Sequence, residues 1–195
     1  MPTPLSNLKK ITLDQLLTGY AQGFFPMAHQ ELNNDIFWHL PEKRGIIPLD
    51  EFVIPKNLRR LYEKRSFQLE INKNFKSVIQ NCADRKETWI SPEIMDAFLD
   101  LHKKGFAYSF EAYQENKLVG GLYGVALRRV FFGESMFFKV SNASKVTLIF
   151  LVEFLIKNGY KLLDTQYLNP HLKQFGAIEI ENDAFQKLLF DALAD

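Results

Sequence analysis

The stretch "AYSFEAYQENKLVGGLYGVALRRVFFGESMFF", Ala107 to Phe138, decides the fold. Three runs rich in aromatic and β-branched residues are separated by two short breaks, Glu115-Asn116 and Leu127-Arg128-Arg129, which predicts a three-strand antiparallel meander. "NASKVTLIFLVEFLIKNG", Asn142 to Gly159, follows as a long apolar helix with Ser141 or Asn142 as its cap and Gly159 as its stop. "YKLLDTQ", Tyr160 to Gln166, is one more strand, so a strand–helix–strand passage comes directly after the meander. That order indicates a mixed α/β or α+β domain.

The rest of the chain fits around this centre. On the N-terminal side, "LDQLLTGYAQG", "IPKNLRRLYEKR", "NKNFKSVIQNCADR" and "SPEIMDAFLDLHKKG" carry helical spacing, and "SFQLEI" alternates like a strand. "AFQKLLFDALA" closes the chain as a helix. The segment from Phe24 to Phe52 is loop-rich, with short extended pieces near "IFWHL" and "GIIPL". Residues 1–50 are expected to form a small N-terminal subdomain and 51–195 the main domain. A hydrophobic content of 47% with 18 Phe in 195 residues suits a globular protein with an aromatic interior and argues against disorder. The longest apolar run, "VTLIFLVEFLI", is broken by Glu153 and is too short for a membrane span. No signal peptide is expected from "MPTPLSNLKK", and the single cysteine, Cys82, allows no internal disulfide, so a cytoplasmic protein is the expectation.

Three features could carry chemistry. Glu134 sits in "FFGESMFF", where an unpaired buried carboxylate would be costly. It either pairs with a neighbour or lines a site that recognises a cation or moves a proton. In a regular strand Phe132, Glu134 and Met136 share one face. Asp164 and Gln166 likewise share a face of "LLDTQ", with Leu163 and Thr165 pointing away; they satisfy backbone at a strand end or stand together at a cleft. Lys56, Arg59, Arg60, Lys64 and Arg65 cluster on one helix against Glu63 alone, which is either a solvated face or a phosphate-backbone contact. The four His are scattered and no metal-ligand spacing occurs. There is no Walker A loop, dinucleotide fingerprint or nucleophile elbow.

Taken together, "LLTGYAQGFFPM", "WHLPEKRGIIPLDEFVIPKNLRR", "TWISPEIMDAFLDLH", "LVGGLYGVA", "FFGESMF", "NASK" and "LLDTQYLNPHLKQFGA" occur in the order seen in the leucyl/phenylalanyl-tRNA–protein transferases. The resemblance runs from about residue 12 to 190. It implies a GNAT/Fem-like acyltransferase core behind a small N-terminal subdomain. It also implies transfer of Leu or Phe, with some leakage to Met, from Leu-tRNA or Phe-tRNA to the N-terminal α-amine of proteins beginning with Arg or Lys, marking them for N-degron degradation. No metal or cofactor and no membrane partner is implied, and a monomer is expected. Residue by residue, the resemblance maps Gln166, Asp164 and Glu134 onto the active site. Leu122, Phe131, Leu148, Leu155 and Leu163 match the aminoacyl pocket. Trp89, Met27 and Trp38 match donor contacts, and Lys56, Arg59, Arg60, Lys64 and Arg65 match the tRNA-binding helix.

Some positions depart from the family pattern. Met27 stands where a stacking Trp is common, and Thr165 replaces a Cys expected to point away from the site. Arg128 occupies a turn position where Gly is favoured. Two other readings follow from the residues. A coenzyme A-dependent N-acyltransferase would need a glycine-bearing pyrophosphate turn, where this chain has "KVSNASK". A non-catalytic RNA-binding module would use only the basic helix.

Overall fold

The computed structural model describes residues 3–4 and 11–194. In chain order the elements are β1 (Thr3–Pro4), α1 (Leu13–Ala21), β2 (Phe25–His29), β3 (Asp35–His39), β4 (Lys43–Ile47), α2 (Lys56–Glu63), β5 (Gln68–Ile71), α3 (Phe75–Ala83), α4 (Pro92–Lys103), β6 (Ala107–Gln114), β7 (Lys117–Leu127), β8 (Val130–Phe138), α5 (Ala143–Lys157), β9 (Leu162–Gln166), α6 (Pro170–Lys173), β10 (Ile178–Glu181) and α7 (Asn182–Ala194). A three-stranded sheet, β1-β3-β2, stands beside a seven-stranded sheet ordered β10-β4-β9-β8-β7-β6-β5. The fold class is therefore mixed α+β. All ladders are antiparallel except β8–β9. That parallel pair is the strand–helix–strand unit, with α5 as its crossover.

Local chemistry sets the helix ends. At α1, Thr12 and Gln15 form a reciprocal capping box, and Gly23 turns the chain away at φ +83°. Ser91 caps α4 by accepting from the Ile94 amide, with Pro92 in the first turn. Asn142 precedes α5 in the left-handed region, and its side chain makes no capping bond. Arg128 also adopts a positive φ, 55°, in the β7–β8 turn, where glycine is the strain-free choice.

α5 is apolar nearly all round because it is covered on several sides. It packs on β6, β7 and β8, and α2 lies over it. In the middle of its apolar run stands Glu153, which accepts a 2.7 Å hydrogen bond from Tyr62 Oη of α2. The opposite face of the sheet carries α3, α4, α7 and α1. Two large apolar clusters result, one on each side of the sheet. The first fifty residues do more than form the small sheet. β4 stands outside it, in the large sheet between β9 and β10, and so carries Arg44 and Gly45 to the end of β9.

Two irregularities shape the centre of the large sheet. Gly124 pairs with Gly133 but Tyr123 pairs with Ser135, so Glu134 is the extra residue of a bulge. The alternation flips there. Phe131 and Met136 end on the α5 side and Phe132 and Phe137 on the α3–α4 side. Phe132 and Met136 therefore do not share a face as a regular strand would require. In β9, Gly45 pairs with Gln166 but Ile46 pairs with Asp164, which leaves Thr165 unpaired in a second bulge. The β8–β9 pairing stops at Phe132–Asp164, so the two strands part where both bulges begin.

Candidate active site

The parting strands open onto a cavity of about 200 Å³. Leu122, Leu148, Leu151, Leu163 and Leu172 supply its apolar wall, and Glu134, Thr165, Tyr123, Arg85 and Trp89 its polar and aromatic edge. Of the residues matched to an aminoacyl pocket, Leu122, Leu148, Leu163 and Trp89 line this space. Phe131 and Leu155 lie behind it, fully buried in the same apolar cluster. Trp89 also borders a shallower depression with Met27 and His29. Trp38 lies elsewhere, in a groove with Asp14, Thr18 and Phe24. Its ring packs so closely on Gly19 that a Cβ there would approach it to 2.6 Å.

Glu134 is buried and is held by two elements that sequence reasoning did not connect. Tyr20 Oη from α1 donates to its Oε1 at 2.7 Å, and Gln166 Nε2 donates to the same oxygen at 2.9 Å. Its other oxygen, Oε2, is buried without a protein hydrogen-bond partner among the described residues. Burial and the nearby Asp164 charge push its carboxyl up to about 8, against the opposing pull of those two hydrogen bonds and of Arg44. A second buried carboxylate of this sheet shows what a structural role looks like. Glu111 Oε1 accepts from the Asn74 amide and Ser109 Oγ, and its Oε2 from Tyr113 Oη, so both oxygens are satisfied.

Asp164 and Gln166 take different directions. Asp164 is fully buried and grips Arg44: Nε donates to Oδ1 at 2.8 Å and Nη2 to Oδ2 at 2.6 Å. The Gln166 amide also donates to Oδ1, at 2.8 Å. Gln166 itself sits at φ +62°, a conformation uncommon for a residue with a side chain. This turn, fixed by Asp164, swings the Gln166 amide group to Glu134. Thr165, expected to point away from the site, lines the cavity together with Leu163, with which it shares a face.

Arg44 was not singled out in the sequence, yet it is the hinge of the arrangement. Its guanidinium lies between the rings of Phe25 and Phe185, 4.8 and 4.5 Å from their centroids, and Nη1 donates to the Gly23 carbonyl at 2.8 Å. It thus ties the end of α1 to β9. Lys43 beside it is mostly exposed, so the two cations differ only by strand alternation. Tyr20 did carry a signal: it continues the Leu13, Leu16, Leu17 spacing onto the buried face of α1, and a buried Tyr hydroxyl needs a partner.

The basic residues Lys56, Arg59, Arg60, Lys64 and Arg65 are exposed along and just beyond α2, while Leu58 is buried beneath them. None is in an ion pair among the described residues. A larger open groove of about 670 Å³ runs beside this helix, lined by Tyr62, Arg65, Phe67 and Phe150. It has no buried carboxylate with an unused oxygen, so the chemistry is assigned to the smaller cavity.

The sequence matches the family profile "Leucyl/phenylalanyl-tRNA protein transferase" over residues 46–190 and the profile of that protein's N-terminal domain over residues 9–42. The chain belongs to this family. It is accordingly a transferase. The leucyl/phenylalanyl-tRNA–protein transferase of Salinibacter ruber is 48% identical over 94% of this chain and 80% of its own. That of Paramagnetospirillum magneticum is 47% identical over 96% and 92%. Among solved structures, L-PGS from Bacillus licheniformis has a TM-score of 0.48 at 11% identity, over 88% of this chain and 67% of that one.

Proposed function

We propose that this protein moves Leu or Phe from aminoacyl-tRNA to the N-terminal α-amine of proteins beginning with Arg or Lys, as a cytoplasmic monomer whose products enter N-degron degradation. The observation that carries the reading is Glu134: a buried carboxylate, fixed through one oxygen, at the edge of a leucine-walled cavity. An apolar side chain fits the cavity, and the donor's α-amine reaches the carboxylate.

The reaction joins the acceptor nitrogen to the donor's carbonyl carbon and breaks the ester bond to the ribose. The amine loses a proton and the departing ribose oxygen gains one. No strong base is required, because an α-amine with a pKa near 7.7–8.0 is partly neutral at working pH. Positioning therefore supplies most of the rate. Gln166, held by Glu134 and by Asp164, orients the reacting groups. Asp164 acts through Gln166 and Arg44 as a positioning residue. Trp89 and Met27 flank the terminal nucleoside, and the basic α2 helix contacts the tRNA backbone. The small N-terminal unit, residues 1–50, contributes Tyr20 and Met27.

The test is transfer of radiolabelled leucine from Leu-tRNA to a peptide with N-terminal Arg, comparing wild type with Gln166→Ala. Transfer by the wild type that falls at least 100-fold in a folded variant is expected. Equal transfer to a peptide with N-terminal Ala would refute the acceptor assignment, and no transfer from either Leu- or Phe-tRNA would refute the reading.

A further inference from the structure

Among the described residues, three buried polar atoms beside the cavity have no protein hydrogen-bond partner: Glu134 Oε2, Tyr123 Oη and Thr165 Oγ1. All three residues line the same space. Leaving one such group unpaired is costly, and three around one cavity call for a shared occupant. Tyr123 is fully buried on the central strand β7, its ring set edge-on against Phe75 and Phe98. Packing alone would be served as well by Phe. Thr165 is the unpaired residue of the β9 bulge and Glu134 that of the β8 bulge. Each parting strand thus brings an oxygen to this space.

We infer that Tyr123 and Thr165 complete, with Glu134, a three-acceptor cradle for a free α-ammonium group, so that the enzyme accepts only donors whose amine is unblocked. The inference rests on the donor assignment above. An ammonium has three N–H donors, and three accepting oxygens match that number. An N-acylated donor, such as N-acetyl-leucyl-tRNA or a formylated aminoacyl-tRNA, offers one N–H and no charge. It also turns a carbonyl oxygen toward the Glu134 carboxylate, which can only accept. Selection against blocked amines follows from that mismatch, which is steeper than any discrimination between apolar side chains. Arg85 stands at the same edge, with Nη2 committed to Ser135 Oγ and the Met136 carbonyl.

The test uses Tyr123→Phe, Thr165→Val and Thr165→Ser in the full-length protein. Because its hydroxyl has no partner among the described residues, Tyr123→Phe is expected to keep or raise the melting temperature. It is expected to raise KM for Leu-tRNA about 10-fold, as loss of one bond to a charged group would. Thr165→Val should act in the same direction and Thr165→Ser should restore the wild-type value. N-acetyl-leucyl-tRNA should be neither transferred nor competitive at concentrations that saturate with Leu-tRNA. Unchanged KM in both Tyr123→Phe and Thr165→Val, or competition by N-acetyl-leucyl-tRNA equal to that of Leu-tRNA, would overturn the cradle while wild-type transfer still upheld the reaction. Absence of wild-type transfer would overturn both.

Discussion

The Arg44–Asp164 pair is the most consequential contact in the protein, and its removal separates architecture from chemistry. Asp164 accepts three hydrogen bonds, two from the guanidinium and one from the Gln166 amide, and both side chains are fully buried. In Asp164→Ala the guanidinium keeps only the Gly23 carbonyl and two ring faces. Breaking a buried pair from one side costs about 3–5 kcal/mol, and the orphaned Gln166 amide adds about 1 kcal/mol. Against a total stability of roughly 5–15 kcal/mol, that is a large share. Urea unfolding followed by tryptophan fluorescence should show the midpoint falling sharply. The informative partner is the double variant Arg44→Met with Asp164→Leu. Phe25 and Phe185 already provide apolar walls, so an apolar pair should recover stability to within about 2 kcal/mol of wild type. Transfer activity should stay lost, because the Gln166 backbone amide then has no acceptor fixing its left-handed turn, and the bond from its side chain to Glu134 alone does not set that turn. A cost below 1 kcal/mol for Asp164→Ala, or a double variant as unstable as the sum of the singles, would refute this account.

Three further outcomes are expected. In the free protein Glu134 holds a proton, which a bound ammonium would displace and which the unfolded chain releases between pH 4.5 and about 8, so folding stability contributed by this group declines as pH rises through that window. Glu134→Gln removes the decline, by a few kcal/mol at most. The variant should be the more stable protein at pH 9 by calorimetry; identical pH profiles would contradict it. Arg59→Ala with Arg60→Ala should weaken tRNA binding in filter assays and flatten its log–log salt slope by roughly one unit per lost phosphate contact. An unchanged slope would remove α2 from the interface. In Gly124→Ala, the added Cβ would collide with the Phe132 carbonyl oxygen and the Phe131 ring beside the Glu134 bulge. A loss of about 2 kcal/mol or more is expected, and a neutral result would mean that β7 and β8 can separate at that point.

Where the sequence obeyed a period, its reading survived. The meander, α5 and β9 follow from alternation and helical spacing because packing against a sheet enforces those periods. β2 and β10 escaped notice because "FPMAH" and "IEIE" are short, and the first contains Pro26. In the site two expectations failed for different reasons. The face assignment around Glu134 assumed an unbroken period of two, and Glu134 is the extra member of a bulge. Thr165 keeps the face it shares with Leu163, but that face borders the cavity. Gln166 was placed beside Asp164 on a strand face, and its positive φ was not foreseen. No local signal announces either event, since the bulge at Glu134 is tied to Gly124 on another strand and the turn at Gln166 to the carboxylate of Asp164. Arg44 was invisible for a related reason: it is defined only by a partner 120 positions away. The ladders fail together at Phe132–Asp164, which frees a carboxylate, a hydroxyl and an amide from sheet pairing at one spot. Apolar burial on both sides then holds the strands apart, so the site persists as a fixed opening in an otherwise closed sheet. That combination explains why Glu134 can remain half satisfied: the cost of the bulges and of its unpaired oxygen is offset by the two cores around it.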